Sequence, residues 1–115
     1  MVEDAPFITF RRRDVYDQAL VLAGEIHRVL ERASARSHLK DRLDRASTAL
    51  VFELSRARAE VRSLSWRNYR RAHQLATDCA TILDLFEHQG AVTKEDLEAV
   101  RRLLQDVLAA LMRLG

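Results

Sequence analysis

Arg67-Asn68-Tyr69-Arg70-Arg71-Ala72-His73, in the middle of the chain, holds the residue types with the most chemistry to offer. A guanidinium clamps a phosphate through a planar fork of donors. A histidine moves a proton near neutral pH. Arg67 and His73 together could therefore cut an RNA phosphodiester if their side chains converged. On one continuous helix, residues six apart are turned by about 240°. Convergence would need a broken helix or a second subunit.

A second reading of the same stretch needs no convergence. Between Leu54 and Thr77 lie Arg56, Arg58, Arg62, Arg67, Arg70 and Arg71, against a single acid, Glu60. Arg67 and Arg71 share a helix face, Arg70 lies beside them, and Arg58 and Arg62 approach from the preceding helix. Trp66 and Tyr69 interleave with them. Arginines with aromatics grip phosphates and stack unpaired bases, so Arg58, Arg62, Arg67, Arg70 and Arg71 are candidate contacts for RNA or DNA. Tyr69 falls on an apolar stripe and is expected to pack, whereas Trp66 opens a helix and can do either. The alternatives are a solvated face or pairing with acids of a neighbouring subunit. Seven acids between Asp78 and Asp106 face only Lys94, Arg101 and Arg102 there. High genomic GC content would also favour Arg over Lys, which occurs only at 40 and 94.

Other chemistry finds little footing. His27, His38, His73 and His88 show none of the spacings that bring two metal ligands onto one helix face. His27 falls on an apolar stripe and is expected to be buried and hydrogen-bonded. Cys79 stands alone on a core stripe and reads as packing, because a reactive thiol wants exposure and a positive neighbour. Three isolated glycines make no phosphate loop. No cofactor and no metal is implied.

The elements that position these residues are helical. At 115 residues the chain is one domain, with 48% hydrophobic residues for a core. Three Gly and one Pro are too few for a hairpin-rich β fold. Residues 1–12 form an arm in which Pro6 forbids regular helix while Phe7, Ile8 and Phe10 need somewhere to dock. Residues 13–115 form the bundle domain. Helix one spans about 13–33, with Val15, Ala19, Leu22, Ile26, Val29 and Ala33 on one stripe and Tyr16, Leu20, Ala23 and Leu30 beside it. Ser34 or Ser37 should cap helix two, which spans about 38–62 and carries Leu39, Leu43, Ala46, Leu50, Leu54, Ala57, Val61 and Leu64. Ser65 should cap helix three, about 66–88, with Tyr69, Ala72, Ala76, Cys79, Leu83 and Phe86 inward. Gly90 supplies its left-handed terminus, and Thr93-Lys94-Glu95-Asp96 starts helix four. There Leu97, Val100, Leu104, Val107, Leu111 and Leu114 recur at 3, 4, 3, 4, 3. Short connections then give an antiparallel up-down-up-down four-helix bundle, an all-α fold. No apolar run approaches the roughly 18 residues of a membrane span. The acidic start Met1-Val2-Glu3-Asp4 is unlike a secretion signal, so a cytoplasmic location is expected.

Two resemblances bear on function. Arg67 with His73 is similar to the Arg-x(4–6)-His motif of HEPN-type RNases, in which both residues act on RNA. Over Val15 to Leu114, the chain resembles the four-helix-bundle family of the 23S rRNA intervening-sequence proteins. The accessory variability proteins of diversity-generating retroelements belong to the same group. The matching points are Tyr16-Asp17-Gln18-Ala19, Arg45-Ala46, Ser65-Trp66-Arg67-Asn68-Tyr69 with Leu75-Ala76, and the turn Gln89 to Asp96. The chain departs from the family at Ala49 to Ala57, where a Pro, an Asn and a Gly are missing, so a straighter second helix is expected. Ile82 stands where the family has a Glu. This second resemblance implies a cytosolic bundle with a basic surface, Arg45 among its contacts, that assembles into a homo-oligomeric ring, five-fold in members of the group. In the retroelement branch the ring partners a reverse transcriptase and its RNA. No enzyme activity attaches to that family. A non-enzymatic, homo-oligomeric adaptor for nucleic acid, a pentamer on the family resemblance, is the leading expectation; an RNase and a purely protein-binding scaffold are the alternatives.

Overall fold

The computed structural model describes residues 14–114, so the 1–12 arm and the expected start of helix one at Arg13 lie outside the described residues. The described chain is an antiparallel up-down-up-down bundle of α1 (Val15–Arg32), α2 (Ser37–Ala59), α3 (Trp66–Gln89) and α4 (Lys94–Leu114). Each helix packs on two others, α1 on α2 and α4, and α3 likewise on α2 and α4, with no diagonal packing. None of these helices is long and apolar enough to cross a membrane.

Apolar periodicity places the core. Val15, Ala19, Leu22, Ile26 and Val29 of α1 are buried, as are Leu43, Ala46, Leu50 and Leu54 of α2. Ala72, Ala76, Cys79, Leu83 and Phe86 of α3 meet Leu97, Val100, Leu104, Val107 and Leu111 of α4. The expected stripes thus converge on one interior, because each helix offers one wide apolar face to two neighbours. Leu75 and Ile82 join them from the side of the α3 stripe. α2 runs uninterrupted through Ala49 to Ala57, where no Pro or Gly breaks the hydrogen-bond ladder.

Several expectations are corrected. His27 is exposed, its Nε2 lying 3.8 Å from a Glu31 oxygen, and not buried. Of the stripe it flanks, Tyr16 and Leu30 pack against the core at their edges, while Leu20 is exposed too. Val61 and Leu64 leave the core because α2 stops at Ala59; the chain turns there, and both side chains are exposed. Leu114, on the last turn of α4, projects past the core and is exposed as well.

The caps differ in the same way. Neither Ser34 nor Ser37 caps α2; Arg36 occupies that position without a side-chain bond. Ser34 instead donates its backbone N–H to Ala91 O at 2.8 Å, joining two connections. Ser65 stands at the start of α3, but its hydroxyl donates backward to Arg62 O at 3.0 Å. Residues 61–65 already coil as a helical turn, with Ser65 N–H bonded to Val61 O, so Ser65 faces inward and is buried. At α1 an unforeseen cap appears: Asp14 Oδ1 accepts from Asp17 N at 2.9 Å. Gly90 does take the left-handed conformation, φ 66°, and Thr93 Oγ1 accepts from Asp96 N at 3.1 Å.

Candidate nucleic-acid interface

Antiparallel topology brings four chain segments to one end of the bundle: the start of α1, the end of α2 with its turn, the start of α3 and the end of α4. Arg62 comes from the turn, and Arg67, Arg70 and Arg71 from the first turns of α3. All four are exposed, and among the described residues none has a carboxylate oxygen within 4.0 Å. A guanidinium keeps its charge at any physiological pH. Among the described residues these four therefore present positive charge that no carboxylate answers directly, although Asp14, Glu53 and Glu60 lie at the same end.

The remaining candidates separate from that group. Arg58 turns toward α1, where its guanidinium sits 4.4 Å from the Tyr16 ring centroid and 3.9 Å from Asp14. It ties α2 to α1, a cation–π contact with its charge partly answered. Arg56 pairs with Glu53 at 3.2 Å, and the other Glu53 oxygen accepts from Asn68 at 3.0 Å. Arg45 is exposed at mid-α2, thirteen residues before Arg58, which is about 20 Å along a helix axis. The structure thus gathers Arg62, Arg67, Arg70 and Arg71, and sets Arg45 and Arg58 apart from them.

Two features of this end escape sequence reading. Arg113, on the last turn of α4, joins the basic end although it is more than forty residues from Arg71 in sequence. A trough also opens among the arginines, mixed in character beside the α2–α3 turn and mainly apolar between α3 and α4. One part, about 410 Å³, is bounded by Ala57, Arg62, Trp66, Tyr69 and Leu114. The other, about 480 Å³, runs between α3 and α4 past Trp66, Arg70, His73, Leu111 and Met112. Trp66 is 52% exposed and Met112 74%. Arg67 lies 5.6 Å from the Trp66 ring centroid, so the indole is presented beside a cation. The only hint in the sequence was the set of large apolar residues around the α2–α3 turn.

Arg67 and His73 do not converge within one chain. Arg67 and His73 stand on the same unbroken helix, turned apart by about 240°. His73 faces the α4 side of the trough, while Arg67 lies outside it. Cys79 is fully buried; burial, with a smaller effect of the Asp78 charge, pushes its thiol up to about 12. It is accordingly no nucleophile at neutral pH. Among the described residues no three His, Cys, Asp or Glu side chains gather as a metal site.

The opposite end carries the acids. Arg32 donates two hydrogen bonds to Asp96, at 2.9 and 3.1 Å, and Arg101 answers Asp84 and Glu87. The hydrogen bonds from Arg32, with its charge and a smaller contribution from Thr93, hold the Asp96 carboxyl below the usual carboxylate range. That end also carries Arg28, Arg36, Lys40 and Arg42, so its charges are largely paired and balanced. In comparisons with known proteins, no family model and no curated sequence matches this chain.

Proposed function

We propose that this chain is a non-enzymatic, self-associating helical adaptor whose basic end holds nucleic acid by its phosphates. One observation carries the reading: Arg62, Arg67, Arg70 and Arg71 are gathered at one end, exposed, with no carboxylate partner among the described residues. Such a cluster exchanges condensed counterions for guanidinium groups, which makes affinity large at low salt and steeply salt-dependent. Phosphate contacts position a nucleic acid without reading its bases, so binding through these arginines is expected to be largely indifferent to sequence. Self-association is supported by large apolar side chains left exposed on the bundle's flanks, Leu20, Phe52 and Leu85. The ring assembly and reverse-transcriptase partnership implied by the family resemblance belong to the same proposal.

The test is RNA binding by the purified chain across a salt series, with the RNA afterwards run on a denaturing gel. Intact RNA and a steep loss of affinity with salt are expected. Replacing Arg67, Arg70 and Arg71 by Ala should flatten the logarithmic salt slope by about 2, at about 0.7 per phosphate on single strands. A triple variant that binds like wild type would overturn the site.

The exposed arginines with no described carboxylate partner favour one second reading, in which the basic end of one copy meets the acids around Asp84 to Glu98 of the next. A head-to-tail contact of this kind closes into a ring or runs on as a filament. It predicts an assembly that dissociates as salt rises and a protein that ignores RNA at low salt. An oligomer indifferent to salt would dismiss it.

A further inference from the structure

The trough between α3 and α4 sets a flat aromatic ring and a flexible apolar side chain beside a cation and an amide. We infer that it takes one unpaired base of a single-stranded nucleic acid, stacked on Trp66, with the flanking phosphates on Arg62 and Arg70. The inference rests on the phosphate-binding reading above and deepens it, naming single strands rather than duplex as the ligand.

The apolar lining supplies the stacking surface. Trp66, Tyr69, Leu111 and Met112 border a volume of about 480 Å³, within the range of about 300–1,000 Å³ usual for small-molecule pockets. Leu111 is buried and Tyr69 packs against the core, so this part of the lining is held in place. Trp66 and Met112 are exposed. An indole offers a base a broad π-face, and a methionine thioether adapts to whatever ring lies against it. Arg67 stands 5.6 Å from the indole centroid but outside the trough, so the guanidinium and the trough meet the ring at different places.

The polar lining supplies the rest of a nucleotide's needs. Arg70 follows Trp66 by four residues and Gln74 by eight, so the three stand in a row along α3. A phosphate-binding cation thus lies about 6 Å along the axis from the stacking ring. Gln74 carries both donors and an acceptor in one amide and can meet the edge of any base. Arg62 borders the adjoining part of the trough, which Trp66 also lines. A strand crossing Trp66 therefore meets one guanidinium before the stacked base and another after it.

A duplex cannot use this arrangement. Its bases stack on one another and present only their edges in the grooves. A single strand can splay a base out, and stacking on an aromatic then adds to the phosphate contacts. A second copy of the chain fits less well. A two-fold contact through the trough sets Arg62 and Arg70 against the same residues of the other copy, like charge on like.

The experiment measures binding of a short mixed-sequence RNA, single-stranded or annealed to its complement, across a salt series. The proteins are wild type, Trp66→Ala and Trp66→Phe. Phosphate contacts alone favour the duplex, whose salt slope is about 0.9 per phosphate against about 0.7 for a single strand. Stacking reverses that order, so the single strand should bind more tightly. Trp66→Ala should weaken single-strand binding about tenfold at every salt concentration without changing the slope, and Trp66→Phe should recover most of the loss. Trp66 is the chain's one tryptophan, and its emission should be quenched by the single strand and not by the duplex. If the duplex binds as tightly as the single strand and Trp66→Ala binds like wild type, the inference falls while a steep salt slope keeps the phosphate reading. If neither RNA binds at low salt, both fall. If Trp66→Ala leaves RNA affinity unchanged but breaks up an assembly in solution, the trough belongs to a second copy and the inference falls.

Discussion

At the acidic end of the bundle the two connections are locked to each other, whereas at the basic end the chain simply turns and leaves its apolar side chains uncovered. The acidic end has a backbone bond from Ser34 to Ala91, a two-pronged Arg32–Asp96 pair between α1 and α4, a left-handed glycine and a threonine cap. Phe86 is fully buried there. Toward the other end of the same helix, Trp66 is half exposed, and the six-residue turn before it holds Val61 and Leu64 in solvent. Local bonds that close on each other make a stable terminus, and exposed cations beside exposed aromatics make a receptive one. The local locks and the proposed recognition surface lie at opposite ends of one fold.

The widest gap between the ends should appear in core truncation. Phe86→Ala should cost about 3–5 kcal/mol in chemical denaturation, as a fully enclosed ring is removed. A cost below 1 kcal/mol would show the acidic end to be as loose as the basic one. Next comes Gly90→Ala. Nothing lies within 4 Å of an added Cβ, so the penalty is backbone strain alone, about 1 kcal/mol at a positive φ. A variant as stable as wild type would remove the glycine from the list of locks.

Asp96→Asn should act more weakly, through pH. The folded carboxyl is held below its ordinary value by Arg32, so it contributes stability above its unfolded value near about 3.9. That contribution is lost as pH falls through the lower folded value. The variant should lack this part of the acid limb when melting temperature is followed downward from pH 5, while Asp84→Asn should retain it. An unchanged acid limb would mean that the clasp adds nothing. Trp66→Ala should move stability least, within about 0.5 kcal/mol as for other surface positions, while weakening whatever the basic end holds. A large loss of stability would make Trp66 a structural residue and erase the contrast.

Periodicity identified the helices and most of the core because a bundle helix needs one wide apolar face, and that face repeats locally in sequence. The Gly90 to Asp96 boundary was legible for the same reason, since capping chemistry is written in adjacent residues. Val61 and Leu64 continued the α2 spacing and were misplaced, because the spacing carries no sign of where the hydrogen-bond ladder ends. His27 was misplaced because a flanking stripe is buried only if a neighbouring helix covers it. At the basic cluster, the Arg density around residues 56–71 was visible, but its division was not. Arg58 is answered by Asp14 and Tyr16 from another helix, and Arg113 arrives from the far end of the chain.

By itself, then, the sequence determined the all-α class, the four elements, their inward faces and the presence of an arginine-rich stretch, each a property of residues within a few turns of one another. Only the tertiary structure decided which arginines lack a carboxylate partner among the described residues, that a trough opens among them, and that most of the described ion pairs gather at the other end. Those outcomes depend on which helix termini meet in space, and burial and charge pairing are settled by neighbours that lie far apart along the chain.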